Sequence, residues 1–166
     1  MGFMEQLARP LIAGGWVNRE SITGCTQGDI ETLLRSQGVE QIPASYREFL
    51  EYGGRDPYWL SRGGEWDYEW LLEAKTVARE FVVDDYSEDF SPFESGFIFQ
   101  THQGYSFYYF RPENLADPDP EFWIYSATEP VQSIGVSFSE WIGELAGYLP
   151  QAIELRNQLH GGTGSR

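Results

Sequence analysis

The chain has 166 residues, 41% of them apolar, enough for one domain with its own core and too many for a disordered segment. Eleven basic against 26 acidic residues give a net charge of −15, which repels nucleic-acid phosphates and anionic lipid and favours a basic partner. A single cysteine, Cys25, rules out a disulfide within these residues and reads as a small buried side chain near a helix start.

Residues Met1 to Gly15 carry Glu5, Arg9 and Pro10 among scattered apolar positions, so no signal peptide is expected there. No apolar run is long enough to span a bilayer, and the expectation is a cytoplasmic protein with no membrane partner. The first strong helical pattern covers Thr26 to Gln37. Thr26 can cap it, with Asp29 in place of the usual glutamate, Ile30, Leu33 and Leu34 share a face, and Gly38 stops it. A second helix starts at Pro43, buries Tyr46, Phe49 and Leu50, and ends at Gly53-Gly54; Ile42 packs back against that face. From Asp56 to Trp70 the pattern is loop and short strand, rich in rings. Leu71 to Phe81 has helical character, and Val82 to Phe93 is acidic and turn-rich.

Strands are expected at Gly96 to Thr101 and Tyr105 to Phe110, joined by a turn at His102-Gln103-Gly104. The second carries aromatics on both faces, as a central strand covered on both sides would. After the proline-rich loop Arg111 to Pro120, two more strands are expected at Glu121 to Ser126 and Val131 to Val136. Phe138, Trp141, Ile142, Leu145 and Leu149 then form one helical stripe, with Pro150 expected to break or kink the helix before a further turn or two to Leu159. Helices, then a sheet, then a helix imply an α+β fold: a single domain over 1–160, its mainly antiparallel or mixed sheet packed against N-terminal helices and a C-terminal helix. Gly161 to Arg166 reads as a flexible tail.

Catalytic signatures are sparse. The two histidines, His102 and His160, have no metal-ligand spacing, and there is no Cys-x-x-Cys, Gly-x-Ser-x-Gly or phosphate-cradling glycine loop. No catalytic residue, cofactor or metal is therefore expected. The enzyme class that fits the composition best is a carboxylate pair of glycosidase type, with the rings of Tyr58 to Trp70 stacking on sugar. Acids this numerous are nevertheless expected on the surface of any chain of this charge. Single-stranded nucleic acid needs a basic groove beside its aromatic platforms, whereas Glu65 to Glu94 holds ten acids and only Lys75 and Arg79 as bases.

The run Ile42-Pro43-Ala44-Ser45-Tyr46-Arg47-Glu48-Phe49-Leu50-Glu51-Tyr52-Gly53-Gly54, preceded by Ile30-Glu31-Thr32-Leu33-Leu34 and Gly38, resembles the opening of the SUKH superfamily, the Smi-one/Knr-four type. Members often carry Asn before the glycine pair, where this chain has Tyr52. Ser137-Phe138-Ser139-Glu140-Trp141-Ile142 resembles the helix that comes after the last strand in such families, and the likeness runs from about Ile22 to Leu149. The resemblance implies a binding scaffold, and in bacterial members an immunity protein whose partner is a toxin domain, frequently a nuclease. The matching residues are helix starts, stops and packing positions, so they indicate fold and not chemistry.

The leading expectation is a non-enzymatic immunity protein that neutralises a cognate, basic toxin through an acidic, aromatic surface. A regulator of the cell-wall type and a carbohydrate-binding module or glycosidase are the alternatives. The candidate contact residues are Trp59, Glu65, Trp66, Asp67 and Glu69, with Asp84, Asp85, Glu88 and Asp89 beside them. The sequence does not fix the oligomeric state; a monomer is the expectation.

Overall fold

The computed structural model describes residues 2–161. The two patterned helices form where the sequence places them. Helix α2 (Gln27–Gln37) opens on a reciprocal cap: Thr26 Oγ1 accepts from the Asp29 amide at 3.1 Å and Asp29 Oδ2 accepts from the Thr26 amide at 2.9 Å. It closes on Gly38 in the left-handed region, with φ at 69°. Helix α3 (Ala44–Gly53) comes directly after Pro43, which takes the capping position and not the first turn.

The glycine pair ends α3 for a reason other than backbone handedness, since Gly54 has φ at −89°. Space is the constraint. A Cβ on Gly53 would lie 2.8 Å from Trp59 Nε1 and 2.9 Å from a methyl of Ile22, and one on Gly54 would lie 2.7 Å from the Leu50 Cα. Alongside runs the segment before α2, where the Cys25 amide donates to the Leu50 carbonyl at 2.7 Å. Cys25 is buried, and burial pushes its thiol up to about 12, as befits a packing residue.

The sequence pattern does not announce helix α1 (Phe3–Ala13). It runs through Pro10 and buries Met4, Ala8 and Leu11, spaced four and three residues apart, against α3 and α6. Its proline disguises it, because proline removes a donor and reads as a breaker. The Glu48 carboxylate of α3 accepts from the Met4 amide at 2.9 Å, filling a donor that the first turn leaves unpaired.

The sheet is an antiparallel meander in the order β1 (Phe97–His102), β2 (Ser106–Phe110), β3 (Glu121–Ser126) and β4 (Gln132–Ser137). One face of the sheet presents Phe99, Phe110 and Phe122 to Tyr46 of α3 and to Phe138 and Trp141 of α6 (Phe138–Gly161). On the other, Phe107 and Tyr125 meet Phe81 and Phe93. Strand β2 is thus central and covered on both sides, as its double row of rings requires.

Three expectations need correction. Asp56 to Trp70 holds a 3₁₀ turn (Pro57–Trp59), one isolated bridge between Glu65 and Thr101, and a short helix α4 (Tyr68–Leu71). Leu71 to Phe81 divides into the end of α4 and α5 (Ala74–Arg79), which widens into a π turn (Glu80–Asp85) that takes up part of the segment expected to be irregular. Helix α6 passes through Pro150 unbroken, because Leu149 and Ile153 both pack against the core and hold the chain on either side of the lost donor. Of the expected tail, Gly161 is the last residue of α6, and 162–166 lie outside the described residues. Among the described residues no helix is long and apolar enough to cross a membrane.

The outer edge of β1 is closed by one side chain and one backbone bridge. Gln37, buried at the end of α2, accepts from the Ile98 amide at 2.8 Å and donates to the Ile98 carbonyl at 2.7 Å, as a neighbouring strand would. Further along, Glu65 and Thr101 exchange both backbone bonds, at 2.9 and 3.0 Å. Beneath Gln37, the ammonium of Lys75 donates to the carbonyls of Gln37, Glu94 (2.8 Å) and Gly96 (2.7 Å).

Desolvation pulls Lys75 down from 10.5 to about 8. The unfolded chain therefore binds more protons than the folded one between those values, so stability should rise with pH from about 8 to about 10.5 through this group. As the chain's single lysine, it gives one Nζ signal under lysine-selective labelling, and an NMR titration midpoint near that of a free lysine would refute the shift. Gly53→Ala should cost about 2 kcal/mol or more in urea unfolding, because the added methyl overlaps Trp59 and Ile22.

Candidate functional site

The nine expected contact residues fall into two groups. The first surrounds the turn before α4. Trp66 does not belong to any surface: it is 1% exposed, stacks on Phe49 at 5.1 Å and meets Trp141 edge-on. Its ring is core, and the acids beside it in sequence gave no sign of that. Trp59 is half-buried, and its indole donates to the Gly53 carbonyl at 2.9 Å.

Asp67 caps α4 by accepting from the Trp70 amide at 3.2 Å and also accepts from the Tyr58 hydroxyl at 2.7 Å. Burial, and after it that bond, pushes Tyr58 up to about 12. Glu65 accepts from Thr101 Oγ1 at 3.0 Å, and the Trp70 indole donates to the same hydroxyl oxygen at 2.8 Å. Glu69 is exposed and reaches Arg55 at 3.4 Å. Arg55 is held more closely by Asp29 at 2.6 Å and lies 4.7 Å from the centre of the Tyr68 ring. The backbone bond from Thr26, ahead of the Arg55 contacts, keeps the Asp29 carboxyl below the usual range.

The second group sits on and after the π turn. Phe81 and Val82 anchor the turn in the core, and that anchoring fixes the direction in which Asp84 and Asp85 leave it. Both project into solvent, and neither side chain makes a hydrogen bond or ion pair among the described residues. Glu88 accepts from the Tyr125 hydroxyl at 2.9 Å, tying the loop to β3. Asp89 accepts from the Ser91 amide at 3.0 Å and its hydroxyl at 2.6 Å, and these bonds hold its pKa below the ordinary carboxylate value. A shallow cavity of about 520 Å³ opens between Arg79, Asp84, Glu88 and Asp89.

The two groups line separate cavities: Asp67 and Glu69 line one with Arg55, and Asp84, Glu88 and Asp89 line a second. Sequence reading missed Val83 and Tyr86, which stand 43% and 37% exposed among the free carboxylates. An apolar and an aromatic residue flanking Asp84-Asp85 were the available signal. The second group thus combines rigid placement, uncompensated negative charge and apolar contact area. It offers the groups that a cationic protein surface needs.

His102 is half-buried against the Tyr108 ring, and desolvation lowers its pKa. No group of three or more His, Cys, Asp or Glu among the described residues is placed to hold a metal ion.

The acids should separate by role under mutation. Glu88→Ala should cost about 1 kcal/mol by leaving the Tyr125 hydroxyl without its acceptor, whereas Asp84→Lys with Asp85→Lys should stay within about 0.5 kcal/mol of wild type. Urea midpoints compare them directly, and equal losses in both variants would contradict this division.

A family model described as SMI1 / KNR4 family (SUKH-1) matches residues 24–144, from the extended segment before α2 into the first turns of α6. No curated protein and no solved structure matches the chain. The matched span contains α2, α3 and its glycine stop, the π turn with its acids and the whole sheet, and the chain belongs to the SMI1/KNR4 family (SUKH-1).

Proposed function

We propose that this protein is a cytoplasmic immunity protein that neutralises a basic toxin domain by contact, without catalysing a reaction itself. Membership of a family within the SUKH superfamily supports a protein partner. The observation that carries the reading is the pair Asp84 and Asp85. Both carboxylates are unpaired among the described residues and are held by a π turn rooted in the core, with Val83 and Tyr86 beside them. Unpaired acids lose less on meeting a partner's arginines and lysines than acids that must first release an internal cation. A nuclease-type toxin suits this surface, since a protein that grips phosphates must be basic where it does so. The net charge of −15 steers such a partner from a distance.

Co-expression with a toxin domain encoded beside the gene should restore growth, and the two proteins should co-elute on a sizing column. Loss of both outcomes would remove the proposal. Asp84→Lys with Asp85→Lys should slow association about tenfold at low salt and leave dissociation nearly unchanged. Stopped-flow rates that do not respond to the double change would shift the steering role to other acids.

A further inference from the structure

Most cations in this acidic chain are occupied. Arg9 pairs with Glu5, Arg55 with Asp29 and Arg79 with Glu94, and the Arg111 guanidinium lies 3.4 Å from the centre of the Trp123 ring. Arg62 and Arg156 differ: like Arg19 and Arg35, they have no carboxylate within ion-pair distance among the described residues. They come from opposite ends of the fold, Arg62 from the loop after the Pro57–Trp59 turn and Arg156 from the last turns of α6, yet they line one cavity of about 530 Å³.

Rings form much of the rest of its wall. Trp16, Tyr58 and Trp59 line the same cavity, all partly buried. Tyr58 and Trp59 have their polar tips engaged by Asp67 and by the Gly53 carbonyl, so the rings are fixed before any ligand arrives. Asn157 also faces the cavity, with no hydrogen-bond partner among the described residues. The acid on the wall, Asp56, accepts from the Tyr58 amide. Two uncommitted guanidiniums, fixed aromatic surfaces and a free amide are three complementary recognition elements. They fit, respectively, an anionic group, a flat ring and a ring-edge donor or acceptor. The volume lies within the range of small-molecule sites.

We propose that this cup is a binding site for a small planar ring carrying an anionic group, either a nucleoside monophosphate or an aromatic carboxylate. The ring lies against the Trp16, Tyr58 and Trp59 wall, and the anion takes the Arg62–Arg156 pair. The site is separate from the acidic π-turn surface, since the two share no lining residue. A local positive spot in a protein this negative also disfavours larger polyanions, whose remaining charges would meet the surrounding acids.

Isothermal titration of the full chain with AMP, UMP, benzoate and inorganic phosphate tests this. At least one ring-bearing anion should saturate, with quenching of tryptophan fluorescence, while phosphate alone binds far more weakly. The arms with nucleotides and benzoate tell the two sources apart. Arg62→Gln with Arg156→Gln should weaken that binding about tenfold or more, and Arg62→Lys with Arg156→Lys should recover part of it. Circular dichroism on each variant checks that the fold survives the change. Absence of saturation by every ring anion overturns the proposal. So does equal affinity in the folded glutamine variant, or phosphate binding as tightly as the ring-bearing anions.

Discussion

A sheet edge inside a protein must be given partners, and in this fold the Gln37 side chain and a backbone bridge at Glu65 supply them. Ile98 offers its amide and carbonyl outward from β1, and the amide group of Gln37 answers both. Gln37 is held in turn, because Lys75 takes its carbonyl together with those of Glu94 and Gly96. One joint therefore connects the end of α2, the face of α5, the entry to β1 and its edge. With that edge closed, the helices can stay on the faces of the sheet, where the rings are.

Those rings divide the interior into two layers with different consequences. Tyr46 sits among Phe97, Phe99, Phe110 and Phe138, linking α3 to the sheet and α6. On the reverse, Phe81 and Phe93 pack on Phe107 and Tyr125. The second layer is also what supports the acidic loop, since Phe81 roots the π turn and Tyr125 holds Glu88. Core packing thereby fixes the position of charges that themselves remain in water. A contact surface built this way loses little conformational freedom on binding.

The legible parts of the sequence were those in which one local signal decided the outcome. Thr26 with Asp29, Gly38, the Tyr46/Phe49/Leu50 face and the double aromatic row of β2 each give the right element, and together they give the α+β class. Signals that depend on tertiary contacts read wrongly. Pro10 and Pro150 look like breaks, yet burial of the neighbouring residues carries the helices through them. Trp66 resembles Trp59 in its acidic neighbourhood, but only one of them stacks on Phe49. Nothing in the spacing of Arg62 and Arg156 announces that 94 positions of chain return them to one cavity, because that meeting is set by how α6 packs across the domain. The acids of the π turn were visible as charge, whereas their freedom from internal partners is a property of the folded surface alone.

The location of Lys75 has a chemical corollary. It is the one lysine in the chain, and it is buried with all three ammonium hydrogens directed at carbonyls. The folded domain accordingly presents no side-chain amine to acylating reagents, to amine-reactive cross-linkers or to enzymes that attach tags at lysine. Labelling at Lys75 becomes a report on opening of the structure, and the acidic surface keeps its full negative charge without nearby ammonium groups to neutralise it.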